Sequence, residues 1–426
     1  MKNLVILGAG TAGTMVANRM RRKLPRGWTV SVVEPETAHL YQPGLLFLPF
    51  GARDEARMTQ PRERTLRRDV RWVRETVERI DPEHRRVALA GGACLGYDLL
   101  VVASGARLRF EETPGLAEGR EIGAGIHDFY TLPGARALRE SLARFPGGRL
   151  VLNVVEMPIK CPVVPMEFLF LADDFFKRRG IRDRVELVYA TPLDGAFTKP
   201  MCNRVLSYLI AQKGIHLETE FNTADVDVAA RVLRGHDGRE VPYDLLVSIP
   251  VHSGAPFVEV SGLGNELGFV PTHPRTLQAK GHDRVFVLGD ATDLPSSKAG
   301  SVAHFQAEVL EKNLLRAMAG GAPEEEFDGH TNCFIETGRG RAILIDFNYE
   351  TEPLPGKFPW ARVGPLDLLR ESRLNHVGKL AFRWLYWNAL LPGRRLPVST
   401  HMSMTGKTRV APALPALDGG GRNAAA

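Results

Sequence analysis

The chain has 426 residues, of which 44% are hydrophobic and 24% charged, and its formal net charge is +6. This length is too great for one ordinary core, so we expect two or three domains. A mild positive charge spread along the chain argues against a dedicated nucleic-acid-binding protein, although it suits docking on an anionic membrane face. No window contains the ~18 apolar residues that a membrane-spanning helix needs.

The four cysteines are too few and too scattered for a disulfide scaffold, and no pair of them has the close spacing of a zinc site. We therefore predict no metal centre. Without further context, each cysteine would be read as a small buried hydrophobic residue. The four are Cys94, Cys161, Cys202 and Cys333.

A glycine-rich turn follows the first predicted strand, Leu4–Leu7, and opens a helical run. Gly8 permits the tight turn, Gly10 lets the backbone approach a pyrophosphate, and Gly13 allows close packing of helix on strand. Glu34 ends the second predicted strand and can accept hydrogen bonds from an adenosine ribose. Strand, turn, helix, strand and acid agree, so this segment predicts a bound ADP moiety.

Two later strands end in small residues that suit the same ligand. The strand 97–105 ends at Gly105, where small residues would let the chain cross between domains close to a cofactor. The strand 284–290 ends in Gly289 and Asp290, which is typical of the second flavin-binding segment of such proteins. The alternative is that Asp290 only caps a turn.

A second α/β unit begins at the predicted strand Leu150–Val155 and continues into the helical run Phe168–Arg179. The loop between them lacks the glycines that a nicotinamide dinucleotide would require and carries Cys161 instead. Lys160 and the helix N-terminus would both stabilise a thiolate there. Glu167 could handle protons, or could simply be a carboxylate favoured by the helix dipole.

The C-terminal third differs in kind from the rest. Two paired strands are predicted at 331–336 and 341–347, and leucine and tryptophan then recur at near-helical spacing, with arginine and lysine among them, through Gly364–Leu391. This composition is typical of a helix that lies in a membrane interface. A helix packed on the protein core is the alternative.

Together these features resemble the sulfide:quinone oxidoreductase family. The resemblance rests on Cys161 with Glu167 six residues later, on Cys333 in the late strand pair, on the Gly-Asp strand end, and on the segment 372–376 with aromatic residues behind it. It implies an α/β fold with two Rossmann-like (FAD/NAD-type) domains plus a C-terminal membrane-associating region. The FAD-binding domain would comprise 1–112 and 272–324, the second Rossmann-like domain 113–271, and the membrane- and quinone-binding region 325–426.

The resemblance also implies an activity and its partners. Cys161 and Cys333 would form a redox pair that oxidises sulfide to sulfur or polysulfide, with Glu167 handling protons. Electrons would pass through FAD to a membrane quinone, near Phe334 and Phe358. The protein would lie peripherally on the cell membrane, on its cytoplasmic face, without nucleic acid and with a possible homo-oligomeric state. The residues expected to hold FAD are Gly8, Gly10, Gly13, Glu34, Gly105, Gly289 and Asp290.

One departure from the family and three alternatives remain at this point. Many members carry a third cysteine near residues 122–127, and this chain has none, which leaves the sulfur product open. A type II NADH:quinone dehydrogenase would need a second glycine fingerprint. A flavocytochrome-type sulfide dehydrogenase subunit would share the cysteine pair but hand its electrons to a haem partner. A non-catalytic flavin sensor would keep the FAD site without turnover.

Overall fold

The computed structural model describes residues 1–51, 55–360 and 363–415. It contains two parallel five-stranded sheets and one mixed four-stranded sheet, with smaller ribbons between them. No helix in these ranges is long and apolar enough to cross a membrane. The last eleven residues of the predicted C-terminal region, 416–426, lie outside the described residues.

The first sheet combines strands from the two separate parts of the predicted FAD-binding domain. Its central strands are buried apolar runs, as expected of a parallel sheet covered on both faces. The helices Thr11–Lys23 and Gly300–Met318 pack against each other beside it. In spatial order, its strands are Val285–Val287, Leu99–Val102, Lys2–Leu7, Trp28–Val33 and Arg71–Val73, all parallel.

The second sheet repeats this arrangement within the middle of the chain. The helix Val164–Arg178, called the Cys161 helix below, links two of its neighbouring strands and begins four residues earlier than the sequence pattern predicts. Pro165 in its first turn is compatible with that start, because a proline there lacks only a hydrogen bond that the helix does not make. In spatial order, the strands are Ile126–His127, Leu245–Ile249, Gly148–Val154, Val185–Ala190 and Ile215–Glu218, all parallel.

The third sheet carries Cys333 and supports one long helix, Arg373–Leu385, called the C-terminal helix below. The predicted helix from Gly364 onward begins too early, because Leu366–Leu368 forms a strand instead. Ser372 sets the true start, since its Oγ accepts a hydrogen bond from the Asn375 backbone N–H at 3.0 Å. In spatial order, the strands are Thr331–Gly338, Arg341–Phe347, Leu366–Leu368 and Gly356–Phe358.

Smaller elements complete the described ranges. An antiparallel ribbon of Arg107–Arg109 with Val251–Ser253 joins the two Rossmann-like units. The other short strands are Ala38–Leu40, Thr59–Pro61, Val77–Asp81, Arg86–Leu89, Cys94–Gly96, Thr223–Asp227, Val232–Gly235 and Glu240–Pro242. The remaining α-helices of the described ranges are Arg62–Thr65, Leu116–Glu121, Leu132–Arg144, Pro200–Gln212 and Pro256–Val260, and a π-helical turn follows at Tyr386–Leu390.

The third sheet shares its core with the second unit rather than with the first. Ile335, Ile343 and Ile345 are buried in the same hydrophobic cluster as the second sheet. The strand Thr331–Gly338 lies directly against the Cys161 helix. This packing brings two segments from distant parts of the chain together at one place.

Candidate active site

A cavity of about 410 Å³ lies where the first sheet, the second unit and the C-terminal helix meet. This volume is within the range of small-molecule and cofactor sites. Carboxyl ends of parallel strands form one wall, the usual place for a ligand in open α/β sheets. Among the predicted site residues, the lining includes Gly8, Gly10, Glu34, Gly105, Gly289, Asp290, Cys161 and Glu167.

The glycine turn has the geometry that the fingerprint predicts. Gly8 has a φ of +95°, and a Cβ there would lie 2.6 Å from the Ala103 carbonyl oxygen. A Cβ on Gly13 would lie 2.0 Å from the Gly8 carbonyl oxygen. Both positions therefore require glycine for the backbone itself to close, independently of any ligand.

Gly10 differs from these two glycines, because the fold itself does not exclude a side chain there. A Cβ on Gly10 would meet no heavy atom within 4 Å, and this residue lines the cavity. Gly10 also caps the helix Thr11–Lys23 without a side-chain hydrogen bond, so the first N–H groups of that helix remain available. These groups and the helix dipole suit a pyrophosphate. At the next strand end, Glu34 is fixed because its Oε2 accepts a hydrogen bond from the Ala9 N–H at 2.8 Å.

The strand ends beside the glycine turn also fit a flavin dinucleotide. Among the described residues, the Ser104 hydroxyl lines the cavity and is buried without a hydrogen-bond partner, as expected of a group that bonds a ligand. Gly105 leaves open space beside it. Gly289 begins a short turn, Gly289–Ala291, which places Asp290 in the cavity wall. These residues therefore fit FAD, which they would hold at this end of the strands.

The loop that carries Cys161 is held in an unusual backbone conformation. Cys161 has a φ of +52°, a region that residues with a side chain rarely adopt. Its N–H donates to the Lys298 carbonyl at 2.8 Å, and its own carbonyl accepts from Val164 N–H at 2.9 Å. These two bonds fix the thiol at the start of the Cys161 helix. Strain of this kind is concentrated at functional sites.

Cys333 reaches the same place from the third sheet. It lies opposite Ile345 on the strand Thr331–Gly338, and its thiol is in hydrogen-bond contact with that of Cys161. Both cysteines are present as free thiols. The structure thus brings together the two cysteines that the resemblance pairs, although they are far apart in sequence.

Lys379, on the C-terminal helix, is a cation whose charge acts on both thiols. Its Nζ donates to Glu167 Oε1 at 2.7 Å and to the Phe334 carbonyl at 2.9 Å. The sequence-based interpretation that Lys160 supplies this charge is wrong. Lys160 Nζ instead donates to Gln42 Oε1 at 3.3 Å, and the charges that act on it are those of Asp290 and Asp128. Lys379 belongs to no sequence motif. Its helical spacing from His376 is the signal in the sequence that could have identified it.

The two thiols do not ionise alike. A hydrogen bond from Cys161, together with the nearby Lys379 ammonium and a hydrogen bond with Ser301, lowers the pKa of Cys333 despite its burial. The same hydrogen bond to Cys333, together with burial, raises the pKa of Cys161 well above its usual value. This pairing favours a state with one thiol and one thiolate that share a hydrogen bond, with the lowered pKa on Cys333. The sequence alone had favoured Cys161.

Glu167 is fully buried in the first turn of the Cys161 helix. Burial raises its pKa, and the Lys379 ammonium opposes that shift. Its Oε1 also accepts from the Glu336 backbone N–H at 2.9 Å, whereas Oε2 is buried without a partner among the described residues. Glu167 therefore has a free oxygen in the cavity wall beside the thiols.

The remaining predicted residues are not all brought to the cavity. Phe334 packs under the C-terminal helix against Gly378, and Phe358 lies on the edge strand Gly356–Phe358; neither is part of the cavity wall. Among the cysteines without an expected role, Cys202 is buried but Cys94 is exposed. Cys94 is thus not the buried residue that cysteines usually are.

Fold and site together define a class of protein: an α/β flavoprotein of the disulfide-reductase type, in which a cysteine pair adjoins the FAD cavity. In agreement, residues 2–151 match the family described as pyridine nucleotide-disulphide oxidoreductase. The match covers the N-terminal part of the FAD-binding unit and the start of the second unit.

Particular relatives extend the similarity to nearly the whole chain. The mitochondrial sulfide:quinone oxidoreductase of Mus musculus is 26% identical, covering 92% of this chain and 86% of that protein. The corresponding protein of Dictyostelium discoideum is 28% identical with the same coverages. The X-ray structure of the sulfide:quinone oxidoreductase from Aquifex aeolicus has the same fold, with a TM-score of 0.78 at 20% identity over 92% of both chains. The family resemblance predicted from the sequence is confirmed.

Proposed function

We propose that this protein is a sulfide:quinone oxidoreductase that binds FAD and attaches peripherally to a membrane. The observation that carries the proposal is the contact between Cys161 and Cys333 beside the cavity that fits FAD. A nicotinamide-dependent enzyme would carry a second glycine-rich cradle after the strand Gly148–Val154, where this chain has the Cys161 loop. The relatives' names support the same reaction.

The cysteine pair acts first in the proposed reaction. Hydrogensulfide attacks a sulfur bridge between Cys161 and Cys333, so that one sulfur–sulfur bond breaks and another forms. One cysteine becomes a persulfide, and the other leaves as a thiolate. Thiol–disulfide exchange favours departure of the thiol with the lower pKa, which is that of Cys333. Cys161 would therefore carry the added sulfur.

Bound FAD would supply the two-electron acceptor beside this pair and would pass the electrons to a quinone. Charge stabilisation and proton transfer are assigned to residues of the chain. Lys379 stabilises the negative charge of the departing thiolate, and the free Oε2 of Glu167 is placed to take a proton. Phe334 and Phe358 remain candidates for contact with the quinone outside the cavity.

Membrane attachment is proposed for the C-terminal helix. Leu374, Val377, Leu380 and Trp384 are each more than half exposed and recur three or four residues apart, so they form one apolar stripe. We call these four residues the apolar stripe. Arginines on the same helix suit anionic headgroups. The sequence-based proposal of a cytoplasmic-face location remains part of this hypothesis.

The proposal is tested by anaerobic reduction of the bound flavin, followed by its absorbance. Sulfide should bleach the flavin, NADH should not, and a short-chain quinone should restore the colour. Bleaching by NADH and not by sulfide would instead identify an NADH:quinone dehydrogenase. Rapid bleaching by sulfide without reoxidation by quinone would favour a protein acceptor, as in a flavocytochrome-type subunit.

A further inference from the structure

A second cavity, of about 490 Å³, lies between the helix Thr11–Lys23 and the segment that follows the C-terminal helix. It shares no lining residue with the FAD cavity. Five of its seven lining residues are cations, and one is an acid, Glu311. A cavity of this size and charge suits a small anionic ligand. The cations are Arg19, Arg22, Lys23, Arg394 and Arg395.

Arg19 is the buried member of this group, with a side chain that is 2% exposed. Its Nε donates to Glu311 Oε2 at 2.8 Å, and its Nη2 lies 3.1 Å from Glu308 Oε1. Its Nη1 is buried and has no hydrogen-bond partner within the described part of the chain. Because a buried donor without an acceptor is costly, Nη1 indicates an acceptor supplied by a ligand.

Two exposed arginines of the cavity wall are also without an acceptor. Arg22 and Arg394 form no ion pair or side-chain hydrogen bond with any residue that the structure describes. Partial burial lowers the pKa of Arg22, and repulsion from Arg67, Arg394 and Arg19 lowers it further. An anion bound between these guanidinium groups would relieve that repulsion.

The acids beside the cavity do not neutralise it. Glu311 accepts hydrogen bonds from Arg19 and Lys23, and its Oε1 lies 3.8 Å from Arg395 Nη2. Glu308 is the second acid in contact with Arg19. Five cations against two carboxylates leave an excess of three positive charges.

The segment 393–395 is fixed against the helix Thr11–Lys23. Gly393 has a φ of +72°, and a Cβ there would lie 2.6 Å from Arg19 Cγ, so this close approach requires glycine. The Asn18 side-chain amide donates to the carbonyl just before this segment, that of Leu391, at 2.7 Å. Cations that are held in place before binding lose less conformational entropy when a ligand binds.

A purely structural explanation accounts for only part of the group. The last turn of a helix commonly carries cations, because the helix dipole is negative there. Arg22 and Lys23 lie in the last turn of their helix. Arg394 and Arg395 come from a distant segment, however, so the dipole does not explain why they lie beside the same cavity.

We propose that this cavity binds a phosphate group, which a lipid headgroup or a soluble phosphate compound can supply. Arginine suits phosphate because its planar guanidinium donates two parallel hydrogen bonds. A lipid is the source that the position favours, since the segment 393–395 follows the C-terminal helix through the turn Tyr386–Leu390. Only this choice of source rests on the proposed membrane attachment, and the site itself does not depend on the proposed reaction.

Two double variants are matched for the test. Arg22→Gln with Arg394→Gln removes two exposed cations that pair with no described side chain, so the fold should be retained. Arg86→Gln with Arg204→Gln is the control, because it removes two exposed arginines that likewise form no ion pair in the described ranges and lie on other elements.

The first arm measures the binding of inorganic phosphate to the FAD-loaded protein by isothermal titration calorimetry. Bound FAD occupies the glycine turn, so the titration does not report on that turn. We expect saturable binding to the wild type and the control, and binding weakened about tenfold or more in the Arg22/Arg394 variant, because hydrogen bonds between charged groups are the strong ones. Added salt should weaken binding to the wild type.

The second arm identifies the source of the phosphate. It measures cosedimentation with vesicles of phosphatidylcholine, either alone or mixed equally with phosphatidic acid. A lipid source predicts that the Arg22/Arg394 variant loses the preference for phosphatidic acid that the wild type and the control show. A soluble source predicts the same vesicle binding by all three proteins, with the difference in phosphate binding retained.

The phosphate site would be overturned if the wild type showed no saturable binding of phosphate, or if the Arg22/Arg394 variant bound phosphate equally well. An equal loss of binding in the control would also overturn it, because only net charge would then be involved. Neither arm contains sulfide. A protein that binds phosphate as expected but whose flavin sulfide does not bleach would therefore retain this site and overturn only the proposed function.

Discussion

At the scale of single residues, the ionisation of the site depends on the charged groups that are buried beside one another. Lys379 lies near both thiols and both acids, so it favours the charged form of each. Cys161 then donates the hydrogen bond between the two thiols, and Cys333 accepts it. A cysteine pair in this state is prepared for exchange with sulfur, because one member is a nucleophile or leaving group and the other holds its proton.

The unequal thiols lead to a test with an alkylating reagent. As pH rises, the first thiolate should appear on Cys333, because its pKa is lowered while that of Cys161 is raised. In sulfide-free, reduced protein, we expect iodoacetamide to label Cys333 faster than Cys161 between about pH 7 and 9, where an ordinary thiol titrates. Mass spectrometry of the peptides measures the two rates.

Lys379 provides the matched variant for this experiment. Lys379→Met removes the cation and should shift the labelling of Cys333 to higher pH, whereas Lys357→Met on the edge strand should not. Faster labelling of Cys161 than of Cys333 at every pH would contradict the assigned order.

The glycines make a separate prediction, because Gly10 and Gly13 serve different purposes. Gly10→Ala would place a methyl group in the cavity without touching the protein, so we expect loss of FAD with the free energy of unfolding of the flavin-free protein almost unchanged. Gly13→Ala would clash with the Gly8 carbonyl and should destabilise the fold by about 1–3 kcal/mol as well. Flavin absorbance per protein and urea unfolding measure both effects.

Gly321→Ala is the control, since a Cβ there would meet only the Arg316 carbonyl at an ordinary 3.6 Å. Full FAD content in purified Gly10→Ala would show that this turn does not hold the pyrophosphate.

At the scale of elements, the C-terminal helix has two faces that make different contacts. One face places His376 and Lys379 against the third sheet, and the other presents the apolar stripe. Sequence periodicity indicated an amphipathic segment but placed its start too early, because Leu366 in the strand Leu366–Leu368 and Leu369 after it also have a helical spacing. Nor could periodicity indicate that Lys379 points inward, since that depends on the third sheet beneath the helix.

The two faces should be separable by substitution. Replacing Leu380 and Trp384 together with Glu removes two apolar side chains from the proposed membrane contact. Burial of one such side chain contributes about 1.5–3 kcal/mol, so binding to anionic liposomes should weaken by more than about tenfold, as 1.4 kcal/mol corresponds to one factor of ten. Sulfide-driven bleaching without membranes should stay within about twofold of wild type. Cosedimentation with liposomes measures the binding.

Val260→Glu is the matched control for this experiment, because Val260 is 64% exposed on a short helix of another region. Liposome binding that is unchanged in the double variant, or equally reduced in the control, would remove the apolar stripe from the membrane proposal.

At the scale of the whole molecule, much of the fold could be predicted, because the residues that specify each unit of a parallel sheet lie close together in the sequence. The glycine turn, the apolar strand Lys2–Leu7 and the acid at Glu34 follow one another within one βαβ unit. The strand Val285–Val287, which returns late in the chain to the edge of the same sheet, carries the Gly-Asp end. These features are short-range patterns, so they need no knowledge of the tertiary arrangement.

The arrangement of the site could not be predicted from physical reasoning about the residues alone. Cys161 and Cys333 meet only because the third sheet shares a core with the second unit, and nothing near either residue in sequence indicates that packing. The pairing came from family resemblance instead. The positive φ of Cys161 and the contact of Lys379 with Glu167 likewise depend on distant segments of the chain.

The central claim, that sulfur from sulfide is taken up by the pair of Cys161 and Cys333, is tested most directly by locating that sulfur. The oxidised protein is treated anaerobically with limiting sulfide and no quinone, alkylated, digested and analysed by mass spectrometry, with Cys202→Ser as a control variant. We expect one added sulfur atom on the Cys161 peptide, or bridging it to the Cys333 peptide, and none after replacement of either cysteine by Ser. Bleaching of the flavin with no added sulfur on either peptide would contradict the account.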